Sequence, residues 1–89
     1  MSELILKSIR RKALMDKLPV LSATELLKIL AKLGYYTVRQ KSSHMTLRST
    51  NYPPITIPIH KEIARGTLRA IIREVGITKE QFERLIEGN

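Results

Sequence analysis

An 89-residue chain holds one domain rather than two, and a domain this small buries little more than about 60% of the surface its unfolded chain exposes. It has no cysteine, which excludes disulfides and cysteine-based zinc sites, and no apolar run approaches the ~20 residues that span a bilayer. Sixteen Lys and Arg against eight Asp and Glu give a net charge of +8, a balance suited to polyanionic partners.

In residues 3–17, Leu4, Ile5 and Ile9, with Leu6 and Ala13, fall at helical spacings around the basic run Arg10-Arg11-Lys12. This predicts a first helix, which Pro19 limits by pushing the residue before it out of helical geometry. The opening segment starts with an acid, breaks its apolar runs with charge and lacks a signal-type cleavage site, so a cytoplasmic protein is expected. Ser22-Ala23-Thr24-Glu25 then has the form of a capping box, with Leu26, Leu27, Leu30 and Leu33 following at helical spacing. Lys28 and Lys32 fall on the wetter side, and Gly34 sits where a left-handed terminating residue is wanted.

After Gly34 the period changes to two. Tyr36, Val38 and Gln40 alternate with Tyr35, Thr37 and Arg39, a polar turn follows at Lys41-Ser42-Ser43, and Met45 and Leu47 alternate with His44, Thr46 and Arg48. Ile55, Ile57 and Ile59 form a third strand. Its Pro58 cannot donate to a ladder, so the strand is expected at an edge or to end there. Three strands without intervening helices make an antiparallel meander. A helix begins near Gly66-Thr67 with Leu68, Ile71, Ile72 and Val75 as its stripe and Gly76 as its stop. Thr78-Lys79-Glu80-Gln81 is a second capping box, opening a short helix with Phe82, Leu85 and Ile86 inside. One face of the meander is expected to bury Val38, Met45, Leu47 and the three isoleucines, leaving His44, Thr46 and Arg48 on the other.

Charge is segregated along the chain. Between Glu25 and Glu62 there is no acid, while Lys28, Lys32, Arg39, Lys41, Arg48 and Lys61 lie there. A one-signed central surface points to nucleic acid, although an acidic protein or an anionic membrane would satisfy charge alone.

The order helix, three antiparallel strands, helix resembles the double-stranded-RNA-binding fold. The residues resemble more closely the HicA (YcfA-like) family of toxin ribonucleases. The matching segments are Ser22-Ala23-Thr24-Glu25-Leu26, Leu33-Gly34-Tyr35, Arg39-Gln40-Lys41-Ser42-Ser43-His44, Ile57-Pro58-Ile59-His60, and Gly66-Thr67-Leu68-Arg69 with Ile72 and Gly76-Ile77. The similarity runs from about Pro19 to Ile86. Two departures stand out: Ser42 replaces the glycine common before the family's Ser-His pair, and the first 18 residues have no counterpart. The expected organisation is therefore an N-terminal helical extension over residues 1–18 and one domain over 19–89. The expected fold class is α+β, like the double-stranded-RNA-binding domain. It consists of a three-stranded antiparallel sheet with helices on one face (core α-β-β-β-α), an extra N-terminal helix and a short C-terminal helix.

The resemblance implies a toxin that cleaves messenger RNA and halts translation without a metal or other cofactor, with the catalytic histidine at His44. It also implies a HicB-like antitoxin partner that covers this histidine. A positive toxin surface calls for an acidic contact patch on that partner. The residues support the chemistry independently. RNA carries its own nucleophile in the ribose 2′-hydroxyl, and an imidazole, with an ordinary pKa near ~6.5, can take or give a proton at neutral pH. From composition alone His44 reads rather as an ordinary exposed strand histidine, and it is the Ser-His placement within the family pattern that reverses this. Lys41, Arg48, Lys61, Arg65 and Arg69 are the candidate phosphate contacts. Arg65, Arg69 and Arg73 recur every four residues on one helix, and Gly66 lies where that helix opens with free N–H groups; the stripe reads equally as a solvated helix edge that supports solubility. Ser43 and His60 complete the expected RNA-binding set, His60 as a structural or RNA-positioning residue. Tyr35, Tyr36 and Tyr52 could stack unpaired bases, but aromatics are few and the core needs some, so stacking is the less favoured role for them. Two histidines, no cysteine and few nearby carboxylates make no metal site. Two other readings remain open on sequence: an RNA-binding module of the same fold that does not cut, and a domain whose basic face docks an acidic protein.

Overall fold

The computed structural model describes residues 18–87. The helix expected over residues 3–17 lies outside the described residues. Those that are described form α1 (Ala23–Ala31), β1 (Tyr36–Lys41), β2 (His44–Arg48), β3 (Ile55–Pro58), α2 (Arg65–Val75) and α3 (Lys79–Ile86). The strands make an antiparallel sheet in the order β1-β2-β3, an α+β architecture with the α-β-β-β-α order of the double-stranded-RNA-binding fold.

Both expected capping boxes form. At α1 the Ser22 hydroxyl accepts from the Glu25 N–H at 3.1 Å while the Ser22 N–H donates to the Glu25 carboxylate at 3.0 Å. That backbone donor, with the Ser22 hydroxyl second, holds the Glu25 carboxyl below the usual carboxylate range. Thr78 and Gln81 repeat the arrangement at α3, at 3.1 and 2.8 Å. Gly34 has φ +84°, as its place after α1 required, and the Cβ of any other residue there would stand 3.3 Å from the Ser49 hydroxyl. That hydroxyl is itself occupied in donating to the Leu33 carbonyl at 2.8 Å.

One apolar cluster holds these elements together. It takes Leu26, Ile29 and Leu30 from α1, Met45 and Leu47 from β2, and Ile55 and Ile57 from β3, with Leu68, Ile71, Ile72 and Val75 from α2 and Phe82 from α3. The helices therefore lie on one face of the sheet. Leu18 is fully buried in the same cluster, and its carbonyl accepts from Arg65 Nε at 2.6 Å, so the packed core extends to the first described residue.

Val38 departs from expectation. It is 46% exposed rather than packed beneath the helices. The register explains why: Thr37 pairs with Leu47 and Arg39 with Thr46, so Val38 is an extra residue, a β-bulge with no partner on β2. All six residues of β1 are exposed, and the apolar core stops at β2. Ile59 is only partly buried, because β3 ends at Pro58.

Tyr35 anchors the other side of the α1–β1 connection. It is 5% exposed, its hydroxyl donates to the Pro53 carbonyl at 2.7 Å, and its ring lies 6.1 Å from that of Tyr52. Burial first, and Tyr52 second, push the Tyr35 phenol above its ordinary value near 10. A raised folded-state value means that the stability contributed by the neutral phenol is complete below about pH 10 and is lost as pH rises through the folded value. Tyr35→Phe should thus cost about 1 kcal/mol at pH 7–8 through the lost hydrogen bond, and it should show a shallower loss of stability above pH 10 than the parent chain. Urea titrations at pH 7.5 and above pH 10 test this, and equal alkaline slopes would contradict it.

Candidate nucleic-acid interface

The β1–β2 connection is a two-residue turn, Ser42-Ser43, closed by the pair Lys41 and His44. Ser42 has φ +57° while Ser43 does not enter positive φ, and a turn with positive φ at its first central residue favours glycine there. On the far side of β2, the Ile59 N–H donates to the Ser43 carbonyl at 2.7 Å. Hydrogen-bonded and non-bonded pairs alternate along an antiparallel ladder, so the next pair, His44 with Pro58, is non-bonded. The proline nitrogen then faces the open edge, where no donor is needed. This accommodates Pro58 beside His44 and explains why β3 is an edge strand ending there.

Directly opposed residues share a face. Lys41 with His44, Arg39 with Thr46 and Thr56, and Tyr36 with Arg48 therefore lie on the side of the sheet away from the helices. Arg39, Lys41, Ser42, His44 and Thr46 line a shallow open depression of about 350 Å³ there. No acid lines it. Arg39, Lys41, His44 and Arg48 are all exposed. The Ser43 hydroxyl lies 3.3 Å from His44 Nδ1, so this contact engages Nδ1 and not Nε2.

The remaining expected contacts form a second group. Lys61, Arg65, Gly66 and Arg69 are exposed, follow β3 toward and into α2, and do not line the depression around His44. The segment after Pro58 leaves from the His44 turn, where the Ile59 N–H meets the Ser43 carbonyl, and is then tied to the start of α1: the His60 carbonyl accepts from the Ala23 N–H at 2.9 Å and the Ile63 N–H donates to the Leu21 carbonyl at 2.7 Å. The His60 side chain is exposed, while its backbone caps α1. Arg65 spends its Nε on Leu18. Ala64 offers α2 no side-chain cap, so the first-turn N–H groups have no side-chain acceptor from that residue. Among the described residues, no three His, Cys, Asp or Glu side chains cluster to hold a metal ion.

Sequence reasoning left Arg39 out of the candidate set, and it favoured a core role over base stacking for the tyrosines without placing Tyr36 on this face. Arg39 was recoverable, since counting back two residues from Lys41 across a two-residue turn puts it on the His44 face. Tyr36 was not, because the bulge at Val38 reverses its parity.

Among known proteins, a family model described as HicA toxin of bacterial toxin-antitoxin systems matches residues 23–77, from the first residue of α1 through the residue after Gly76. No curated protein and no solved structure gives a significant match.

The strain at Ser42 is testable by itself. A non-glycine residue at positive φ costs of order 1 kcal/mol, so Ser42→Gly should raise the unfolding free energy by about 0.5–1 kcal/mol in urea titration. A loss of stability would show that the turn is not held in this geometry.

Proposed function

Because the chain belongs to the HicA toxin family and is thus the toxin of a toxin–antitoxin system, we propose that it is a metal-independent endoribonuclease that cleaves messenger RNA and inhibits translation in the cytoplasm, with His44 as its catalytic residue. One observation carries this reading: His44 is exposed at the turn end of the outer sheet face, beside Arg39 and Lys41, in a depression with no acid in its lining.

The chemistry follows from what such a face can do to an RNA backbone. Lys41, Arg39 and Arg48 hold phosphate by charge, and each contact releases condensed counterions. The His44 imidazole removes the proton of the ribose 2′-hydroxyl, and the 2′-oxygen attacks the adjacent phosphorus. The bond from phosphorus to the 5′-oxygen breaks, that oxygen leaves with a proton as a 5′-hydroxyl, and a 2′,3′-cyclic phosphate remains. When Nδ1–H donates to the Ser43 hydroxyl, Nε2 carries the free lone pair needed for the first step. The second group, Lys61, Arg65, Arg69, His60 and the backbone at Gly66, receives flanking phosphates. The family implies an antitoxin partner. A HicB-like antitoxin with an acidic contact patch is its natural complement here, masking the same positive face.

His44→Gln keeps an exposed polar residue at the turn and removes the acid–base group. RNA cleavage by the purified protein in the presence of a chelator should fall by about 10²–10⁴-fold, and growth arrest on induced expression should disappear while thermal unfolding is unchanged. A folded His44→Gln protein with full toxicity would refute the assignment. RNA bound tightly but left intact by the parent chain would instead identify a binding module.

A further inference from the structure

The outer face also carries an aromatic ring that neither the fold nor the proposed chemistry uses. The chain has three tyrosines and one phenylalanine. Phe82 and Tyr35 are buried in the core and Tyr52 is partly buried against it, but Tyr36 is 56% exposed. It has no core to serve. Its position follows from the bulge: with unbroken alternation Tyr36 and Arg39 would point to opposite faces, and the extra residue at Val38 brings them to the same one. Tyr36 stands directly opposite Arg48 in the ladder, so an exposed aromatic residue and an arginine occupy neighbouring positions at the far end of the face from His44. Arg48 lies four residue steps along β2 from His44, which at strand rise is roughly 13 Å, a span of a few extended nucleotides.

Charge gives that span a direction. Arg48, Arg39 and Lys41 follow one another along β1 and β2 toward His44, whereas an acid, Glu74, lines the depression over Thr46 and Thr56 on the β3 side. A polyanion is therefore drawn along β1 and β2 and turned away from Glu74 at the C-terminal end of α2, while the basic N-terminal turn of that helix stays open to it. A ring lying on such a track takes the flat face of an unpaired base, because bases inside a duplex are already stacked on their neighbours.

Building on the ribonuclease reading, we propose that Tyr36 and Arg48 form a subsite for an unstacked base and its phosphate, and that the outer sheet face therefore selects single-stranded over double-stranded RNA. Tyr36 is then a positioning and selectivity residue. It fixes the strand so that a phosphodiester a few nucleotides away falls at His44.

The test uses the full chain in a His44→Ala background, so that RNA stays intact, with an unstructured oligoribonucleotide and its duplex form as probes. 2-Aminopurine is placed in turn at each position of the single strand. Tyr36→Val keeps a strand-forming apolar residue but has no ring face, and Tyr36→Phe keeps the face without the hydroxyl. Single-strand affinity should fall about 5- to 100-fold in Tyr36→Val, the loss of one base–aromatic stack, and return in Tyr36→Phe. Duplex affinity should barely change. One 2-aminopurine position should be quenched on binding to the parent and Tyr36→Phe proteins and unquenched with Tyr36→Val. Parent-like single-strand affinity and quenching in Tyr36→Val would overturn the subsite while leaving the ribonuclease reading intact. If the His44→Ala parent binds neither probe at low salt, the ribonuclease reading fails and the subsite with it.

Discussion

The two-residue turn at Ser42-Ser43 is the constraint on which the rest depends. Side chains alternate across a strand with period two, so closing the hairpin with Lys41 opposite His44 decides, for every residue of β2, which face it occupies. Met45 and Leu47 go to the helices, while His44, Thr46 and Arg48 go to the open side. One residue more or less in the turn would bury the imidazole and expose the core. The same turn continues into β3 through the Ser43 carbonyl and Ile59 N–H, which sets Pro58 opposite His44 at a pair that needs no donor.

This arrangement divides the labour of a very small domain. The helical side carries the apolar cluster that holds the fold, and the open side is left free to carry charge that would be costly anywhere near a core. Arg39, Lys41 and Arg48 repel one another there. The fold tolerates this because they are solvated and screened. Ser42 is a local cost of the same kind, a residue at positive φ held where it is by the pairing on both sides of the turn.

Much of this was legible in the residues. Both capping boxes, Gly34 and Gly76 as helix stops, the stripe of α2 and the outward placement of His44, Thr46 and Arg48 all follow from local rules of spacing and conformation. What sequence could not show was non-local. The bulge at Val38 arises from pairing with β2 and has no glycine or proline to announce it. That is why Val38 was assigned to the core, and why Tyr36 was not placed beside Arg48. Arg65 reads as a free cation in a basic stripe until the chain brings the Leu18 carbonyl to its Nε. The match to the HicA family covers α1, the sheet and α2.

The central claim is that the His44 face acts on the RNA backbone through the substrate's own 2′-hydroxyl. The most direct measurement compares an RNA with the same sequence 2′-O-methylated throughout, incubated with purified protein and chelator, followed by analysis of the product ends. The account predicts fragments with 2′,3′-cyclic phosphate and 5′-hydroxyl termini from the RNA and no cutting of the methylated strand. Cleavage of the methylated strand, or 5′-phosphate ends from either, would contradict it.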